Sequence, residues 1–285
     1  MQLSFGSYKL EWRSALLISL IPTLIFATFL WLISDIFYQG AFDINWEFLA
    51  TSTQDAGRSG GIAPIIISTA LIILTSLLVS LPIGIGTAII LAEFTARQSL
   101  LGKLIRRNMD ILAGVPSIVF GLFGSVLFCQ ILGFGFSILS GGLTLACMIL
   151  PIFTRTVEDA FSSVPNEHRL SAEALGFRKI STIFQILLPL AIPGIVTGLI
   201  LGVGRAMAET AALIFTSGYV DRYPESLFDS GRSLSIHIYD LSMNVMGGDK
   251  NAYKSAFVLL VLVLLINQAA VAVSKCFLRR RTFTS

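Results

Sequence analysis

The sequence predicts an all-α integral membrane protein with six transmembrane helices and two long connections, on three observations. Hydrophobic residues make up 54% of the 285 and charged ones 13%, where a soluble domain carries roughly 25% charged residues. Apolar runs long enough to cross a hydrocarbon core of about 30 Å, which takes about 20 residues of helix, recur along the whole chain. Lys and Arg gather in a few connections instead of spreading evenly. No room is left for a large soluble domain, and the net charge of +3 says little about partners; no nucleic acid is expected.

The first span is expected at Ser14 to Ser34, after Lys9 and Arg13. The run is too long for a signal-peptide core and lacks a clear small-residue cleavage site, so it reads as an anchor. Residues 1–60 then form a tail, this span and an outer loop carrying Asp35, Asp43, Glu47 and Asp55 against Arg58. The remaining spans are expected at Pro64 to Ala92, Ile111 to Leu132, Phe136 to Phe153, Pro189 to Phe215 and Ser255 to Cys276. Pro22, Pro82, Pro116 and Pro151 lie in or near spans, where neighbouring helices can satisfy freed backbone groups, so kinks are expected more than breaks.

Charge orients the bundle. Arg97, Lys103, Arg106 and Arg107 between the second and third spans, and Lys275, Arg279, Arg280 and Arg281 at the end, should face the cytoplasm. Six spans then leave both termini inside. Cys129, Cys147 and Cys276 show no metal-ligand spacing and read as packing residues. His168 and His237 have no second ligand nearby, so no metal is expected.

The inner connection from about residue 155 to 188 reads as two short helices in series. Pro165 and Asn166 supply a break and an N-cap, Glu167 sits in the first turn, and Gly176 is placed to end the helix in a left-handed conformation. The second helix carries Phe177, Ile180, Phe184, Leu187 and Leu188 on one face. Such a pair suits an interfacial element at the lipid headgroups. The outer connection, Ser217 to Lys254, is long enough to suggest function.

The fifth span holds Arg205 and Glu209, an i, i+4 pair inside an apolar segment. An Arg at a bilayer centre costs about 2.5–3.5 kcal/mol on insertion scales, so it should face protein or a water-filled path. Gly194, Gly198, Gly202, Ala206 and Thr210 form a small-residue ridge at spacing four, a surface for close helix packing; Arg205 lies about 60° around the helix from Gly202. Two readings stand: a mutually satisfied ion pair that fixes packing, or a substrate path. Arg155, at the inner end of the fourth span, is either an anchor that snorkels or part of a path's exit.

Several motifs carry a resemblance. In the inner loop, Ala172, Ala174 and Gly176 are followed after nine residues by Ile186, Leu187, Leu188 and Pro189. This is similar to the coupling loop of binding-protein-dependent ABC permeases, except that the family's Glu falls on Leu170 and its two Ala on Ser171 and Ala172. "GRAMAETAALIFTSG" from Gly204, "GGIAPIIISTALIILTSLLVSLPIGIGTAIILAEF" from Gly60, "ILAGVPSIVFGLF" from Ile111, "PIFTRTVEDAF" from Pro151 and "SLSIHIYDLSMN" from Ser233 resemble the A-type permease subunits of phosphate importers (PstA). Together they cover most of residues 60–275.

The resemblance implies an ABC-permease core over residues 61–285 with a cytoplasmic coupling-helix loop. It implies a permease subunit of an ATP-driven phosphate importer in the bacterial inner membrane, forming half of the path. The implied partners are a second, related permease subunit, two ATP-binding subunits, and an external phosphate-binding protein, besides membrane lipid. Glu167, Arg169, Leu170, Ser171, Ala172 and Gly176 would meet the ATPase, and Arg205 with Glu209 would border the substrate path.

No catalytic residue and no cofactor are expected in this chain. A P-loop needs Gly five residues before its Gly-Lys, and the only such pair, Gly102 and Lys103, has Arg97 there; ATP and Mg would enter through the partner. The alternatives are an importer for another oxyanion, such as molybdate, sulfate or phosphonate, and an ion-driven secondary transporter, which would show an internal repeat and several deep acids.

Overall fold

The fold is that of a computed structural model describing residues 7–96 and 98–282, with side chains at residue 15 and from 18 to 275. Arg97 and the side chains of Lys9, Arg13, Arg279, Arg280 and Arg281, used in the charge pattern above, and the side chain of Cys276, read as a packing residue, lie outside the described residues.

Helix α1, Ser7–Gly40, outlasts its expected span at both ends. A short helix, α2 (Trp46–Ala50), and a two-residue hairpin follow; β1 (Thr53–Gln54) pairs antiparallel with β2 (Ser59–Gly60), Thr53 opposite Gly60. Helix α3, Ala63–Ile89, starts with Pro64 in its first turn, where a missing N–H costs nothing, and runs into a π turn over Ile90–Phe94. Pro22 and Pro82 lie inside continuous helices, as expected.

The third expected span departs most from its prediction. Residues Leu100–Ala113 form an amphipathic helix, α4, and Ser117–Ile131 form α5 (Ser117–Gly124) with a π-helical end; the two are bent by 101°. Pro116 is thus a break, because proline disfavours helical geometry in the residue before it. Ile111 to Ala113 belong to the amphipathic arm, and the upright arm is only about 22 Å long at 1.5 Å per residue.

Helix α6, Ile138–Ser163, is the centre of the bundle: 67% of its most apolar window is buried, against none of α1's. It packs parallel to α3, with Thr75 against Gly142 and Phe153 against Gly84. On its other side lies the long helix Lys179–Ala208, made of α8 (Lys179–Thr182), a π turn over Ile183–Leu187, and α9 (Leu188–Ala208). Before it comes α7 (Asn166–Ala174), and after it α10 (Ala211–Ile214), α11 (Leu234–Met243) and α12 (Asp249–Thr282). Helix α12 runs antiparallel to α1, with Lys250 at its start 2.6 Å from Asp43 just past the end of α1 and Phe257 further on edge-on to Phe37; Tyr253 between them donates to Asp35 at 3.1 Å.

The core of buried Ile72, Leu145, Ile149, Phe153, Phe161, Leu187, Ala191 and Leu213 joins α3, α6, the Lys179–Ala208 rod and α10. The outer faces of α1 are apolar and exposed, Leu20, Ile25 and Trp31 among them. That inversion of the soluble pattern suits a hydrocarbon solvent in which lipid tails are as apolar as leucine.

Candidate functional site

Arg205 sits in the last turn of α9, where a cation complements the helix dipole. The expected i, i+4 pair with Glu209 does not form. The helix ends at Ala208, Glu209 is extended (φ −77°, ψ 123°), and no ion pair joins the two residues. Glu209 instead turns toward α10, its Oε1 accepting from the Ala212 amide at 3.2 Å, while its backbone carbonyl accepts from Ser235 Oγ of α11 at 2.6 Å. The Arg205 Nε is buried and has no partner among the described residues.

The ridge beside it packs as expected. A Cβ added at Gly194 would meet Ala160, one at Gly198 the Phe153 ring at 3.1 Å, and one at Gly202 the Ile149 Cγ2 at 2.8 Å. All three neighbours are on α6, so the glycines bring α9 and α6 into near-backbone contact. Ala206 extends this buried ridge, but Thr210 lies beyond the helix end.

Helix α11 dips against this break. Ser233 caps it by accepting from the Ile236 amide at 3.2 Å, and the Leu234 amide donates to Thr69 Oγ1 of α3 at 2.9 Å. His237 is fully buried, its Nδ1 3.5 Å from Arg232 Nη1. Arg232 also pairs with Asp240 at 3.2 Å and donates to the Tyr219 carbonyl at 2.8 Å. Burial, then the Arg232 charge, pushes the His237 pKa down to about 4, so the ring is neutral at pH 7. Among the described residues no group of His, Cys, Asp or Glu has metal-binding geometry, and Cys129 and Cys147 are free thiols.

At the opposite end of the bundle the inner connection takes shape. Pro165 occupies the N-cap of α7 with no side-chain cap bond, and Asn166 is the first helical residue, one position off the expectation. Gly176 has φ +75°, and the end is a full Schellman motif: the Gly176 amide donates to Glu173 O and the Phe177 amide to Ala172 O, both at 3.0 Å. Glu167, Leu170, Ser171 and Gly176 are exposed, while Ala172 is buried.

One expectation for this loop is corrected. The second helix is not a separate short element but the start of the Lys179–Ala208 rod, and Ile180 and Phe184 are exposed while Ile183 and Leu187 are buried, because the π turn shifts the phase. Arg169, grouped with the ATPase-facing residues, turns inward. Its guanidinium donates to Glu93 Oε1 at 2.6 Å and to the carbonyls of Phe161 and Val164 at 2.9 and 2.8 Å.

Beside it, Glu158 on α6 receives Arg106 Nε at 2.5 Å and Arg155 Nη1 at 3.1 Å, and Arg155 also reaches Asp110 at 3.3 Å. Arg155 is therefore a bridge between α4 and α6. Sequence reasoning misses Glu93 and Glu158; the available signal is an acid at the end of an apolar run near basic residues, Glu93 standing alone and Glu158 beside Asp159. It also misses Ser235, whose signal is the Ser-x-Ser before an apolar turn. A cleft of about 400 Å³, lined by Glu93, Asn166, Arg169, Glu173, Phe177 and Lys179, opens between α7 and α8.

Residues 84–282 match the family model described as binding-protein-dependent transport system inner membrane component. The chain belongs to this family. As a member of it, the chain is a multi-pass inner-membrane permease subunit of an ABC importer and not the subunit that hydrolyses ATP. Among its relatives, a probable ABC transporter permease protein YqgI of Bacillus subtilis is 32% identical, covering 88% of this chain and 90% of that protein. The phosphate transport system permease protein PstA 1 of Mycobacterium tuberculosis is 31% identical over 88% of this chain and 84% of its own length.

Solved structures agree on the fold. A chain from a bacterial ABC transporter involved in the import of the acidic polysaccharide alginate superposes with a TM-score of 0.66, covering 95% of this chain and 98% of that one at 17% identity. A chain from an inward-facing MetNI methionine ABC transporter gives 0.58, covering 76% and 94% at 18% identity.

Proposed function

We propose that this permease subunit serves an ATP-driven phosphate importer, forming half of the translocation path beside a second, related permease. Two ATP-binding subunits, which hold ATP and Mg, drive it, and an external phosphate-binding protein delivers the cargo. This chain binds no cofactor of its own, and both its termini face the cytoplasm. Relatives named as phosphate permeases, similar over most of the chain, support phosphate as cargo. In this reading α7 docks on the ATPase through its exposed Glu167, Leu170, Ser171 and Gly176, and ATP binding swings the bundle between outward-open and inward-open states.

The observation that carries the reading is the Arg205 guanidinium, whose buried Nε has no partner among the described residues, beside a break in the fifth transmembrane helix. Interrupted spans expose backbone ends at the substrate sites of many transporters. A guanidinium gives planar, charge-assisted hydrogen bonds to phosphate oxygens. Glu209 borders the same break but is occupied with the α10 backbone.

Labelled phosphate uptake at low external concentration, in cells lacking the chain and restored with wild type or Arg205→Ala, tests this. A charge-assisted hydrogen bond is worth about 1.5–3 kcal/mol, so uptake at limiting phosphate should fall at least about tenfold. Arg205→Lys, a point charge without the fork, should fall in between. Wild-type uptake by an assembled Arg205→Ala complex would refute the path role. No uptake defect on deletion, with molybdate, sulfate or phosphonate uptake lost instead, would replace the cargo.

A further inference from the structure

The π turn Ile90–Phe94 at the end of α3 is held from three directions. Arg169 of α7 forks onto Glu93, with Nη2 at 2.6 Å and Nε at 3.2 and 3.3 Å from the two carboxylate oxygens. Arg106 of α4 donates through Nη2 to the Leu91 carbonyl at 2.9 Å. Lys179, the first residue of the α8–α9 rod, lies 4.6 Å over the Phe94 ring. The helix ends there, with Thr95 extended, so the backbone leaves the Leu91 carbonyl free to take the Arg106 side chain.

The grip is asymmetric in strength. Glu93 is 6% exposed and Arg169 21%, and the same guanidinium also ties the last turn of α6 through the Phe161 and Val164 carbonyls. A buried, forked ion pair with its remaining donors satisfied is costly to open, unlike a surface pair. The rest of α7 is loosely held: among its side chains only Ala172 is buried, and Leu170 and the following Leu175 are exposed. A push on α7 therefore has one stiff route into the bundle.

We propose that the π turn Ile90–Phe94 is a relay, and that the Glu93–Arg169 pair is the positioning link that carries a displacement of α7 into α3 and α6. This rests on the reading that α7 docks on the ATPase. Packing then spreads the motion, because α3 and α6 lie side by side along their length, from Thr75 on Gly142 to Gly84 on Phe153. Loss of the link leaves α7 free to pivot about its Schellman end without moving the spans.

The test uses the whole importer in proteoliposomes, with a photoreactive amino acid in place of Leu175 to report docking. Labelled phosphate imported per ATP hydrolysed is measured for wild type, Glu93→Gln, which keeps the shape, and Glu93→Asp, which keeps the charge. Should the wild-type complex import a different oxyanion, that oxyanion is counted instead. The expected result is intact crosslinking to the ATPase and retained hydrolysis in Glu93→Gln, with import per ATP lowered at least about tenfold, and substantial rescue in Glu93→Asp.

Unchanged import per ATP in Glu93→Gln would overturn the relay, as would equal loss of import and hydrolysis, or failure of both variants to assemble, which would make the pair a folding element. Absence of the crosslink in wild type would overturn the docking reading of α7 and the relay with it.

Discussion

Gly194→Ala should destabilise the protein, and Ala160→Gly should rescue it. The added Cβ would lie well inside contact distance of Ala160 Cβ on α6. An Ala Cβ cannot rotate away, and carbon atoms settle about 3.5–4.0 Å apart, so the helices must separate locally by more than about 1 Å. Overpacking of this kind costs about 1–3 kcal/mol, partly offset by up to about 1 kcal/mol from the better helix propensity of Ala. The net expectation is a loss of about 1–2 kcal/mol.

At Gly198 the contacts are 3.1 and 3.3 Å, to an aromatic ring that can shift slightly, so gain and loss nearly cancel there and Gly198→Ala should be close to neutral. In the double variant Gly194→Ala with Ala160→Gly the clash is gone, the helix-propensity terms exchange, and stability should return to within about 0.5 kcal/mol of wild type. Thermal denaturation of the detergent-purified complex reads the series. A neutral Gly194→Ala, or a double variant no better than the single, would refute near-backbone contact of α9 with α6.

Gly176 has open space around a built Cβ but a φ of +75°, so the cost of substitution is conformational, on the order of 1–2 kcal/mol for most residues. Gly176→Asn should retain import per ATP and Gly176→Val should lower it, checked in proteoliposomes; equal behaviour would remove the left-handed cap from the account. His237 gives an acid response: its pKa of about 4 lies below the ordinary 6.5, so the unfolded state binds the proton first. Stability from its neutral form is complete above about pH 6.5 and is lost as pH falls toward 4, up to about 3 kcal/mol in all. Melting at pH 7.5 and 4.5 should show a smaller acid loss for His237→Gln than for wild type; an unchanged loss would place the sensitivity elsewhere.

The legible features were those in which a residue's chemistry acts on its own neighbourhood. Gly176 was readable as a left-handed helix end because glycine tolerates positive φ, and it stands in a Schellman motif. The ridge at Gly194, Gly198 and Gly202 was readable from a spacing of four and meets α6 at every position. Phase was less secure: Ile180 and Phe184 carry the expected stripe, yet the π turn after Thr182 rotates Ile183 and Leu187 inward. No residue there marks the π turn, since neither Gly nor Pro lies between Lys179 and Leu188.

By itself, the sequence determined the solvent and the all-helical class; the described residues hold five helices long and apolar enough to cross a membrane, or six when the bent α4–α5 pair is taken as one span. A chain so rich in long apolar runs must satisfy its backbone internally in hydrocarbon, and helices do that within one segment. Tertiary structure decided where those helices stop being straight and which charges meet. The fifth span breaks at Glu209 with a carbonyl taken by Ser235, 26 residues further on, and Arg169 finds Glu93 across 76 residues. Local periodicity carries no information about such partners. Their positions follow only once α6 has gathered α3 and α9 around it, leaving the buried Arg205 Nε without a partner among the described residues at one break and Arg169 locked at the other end.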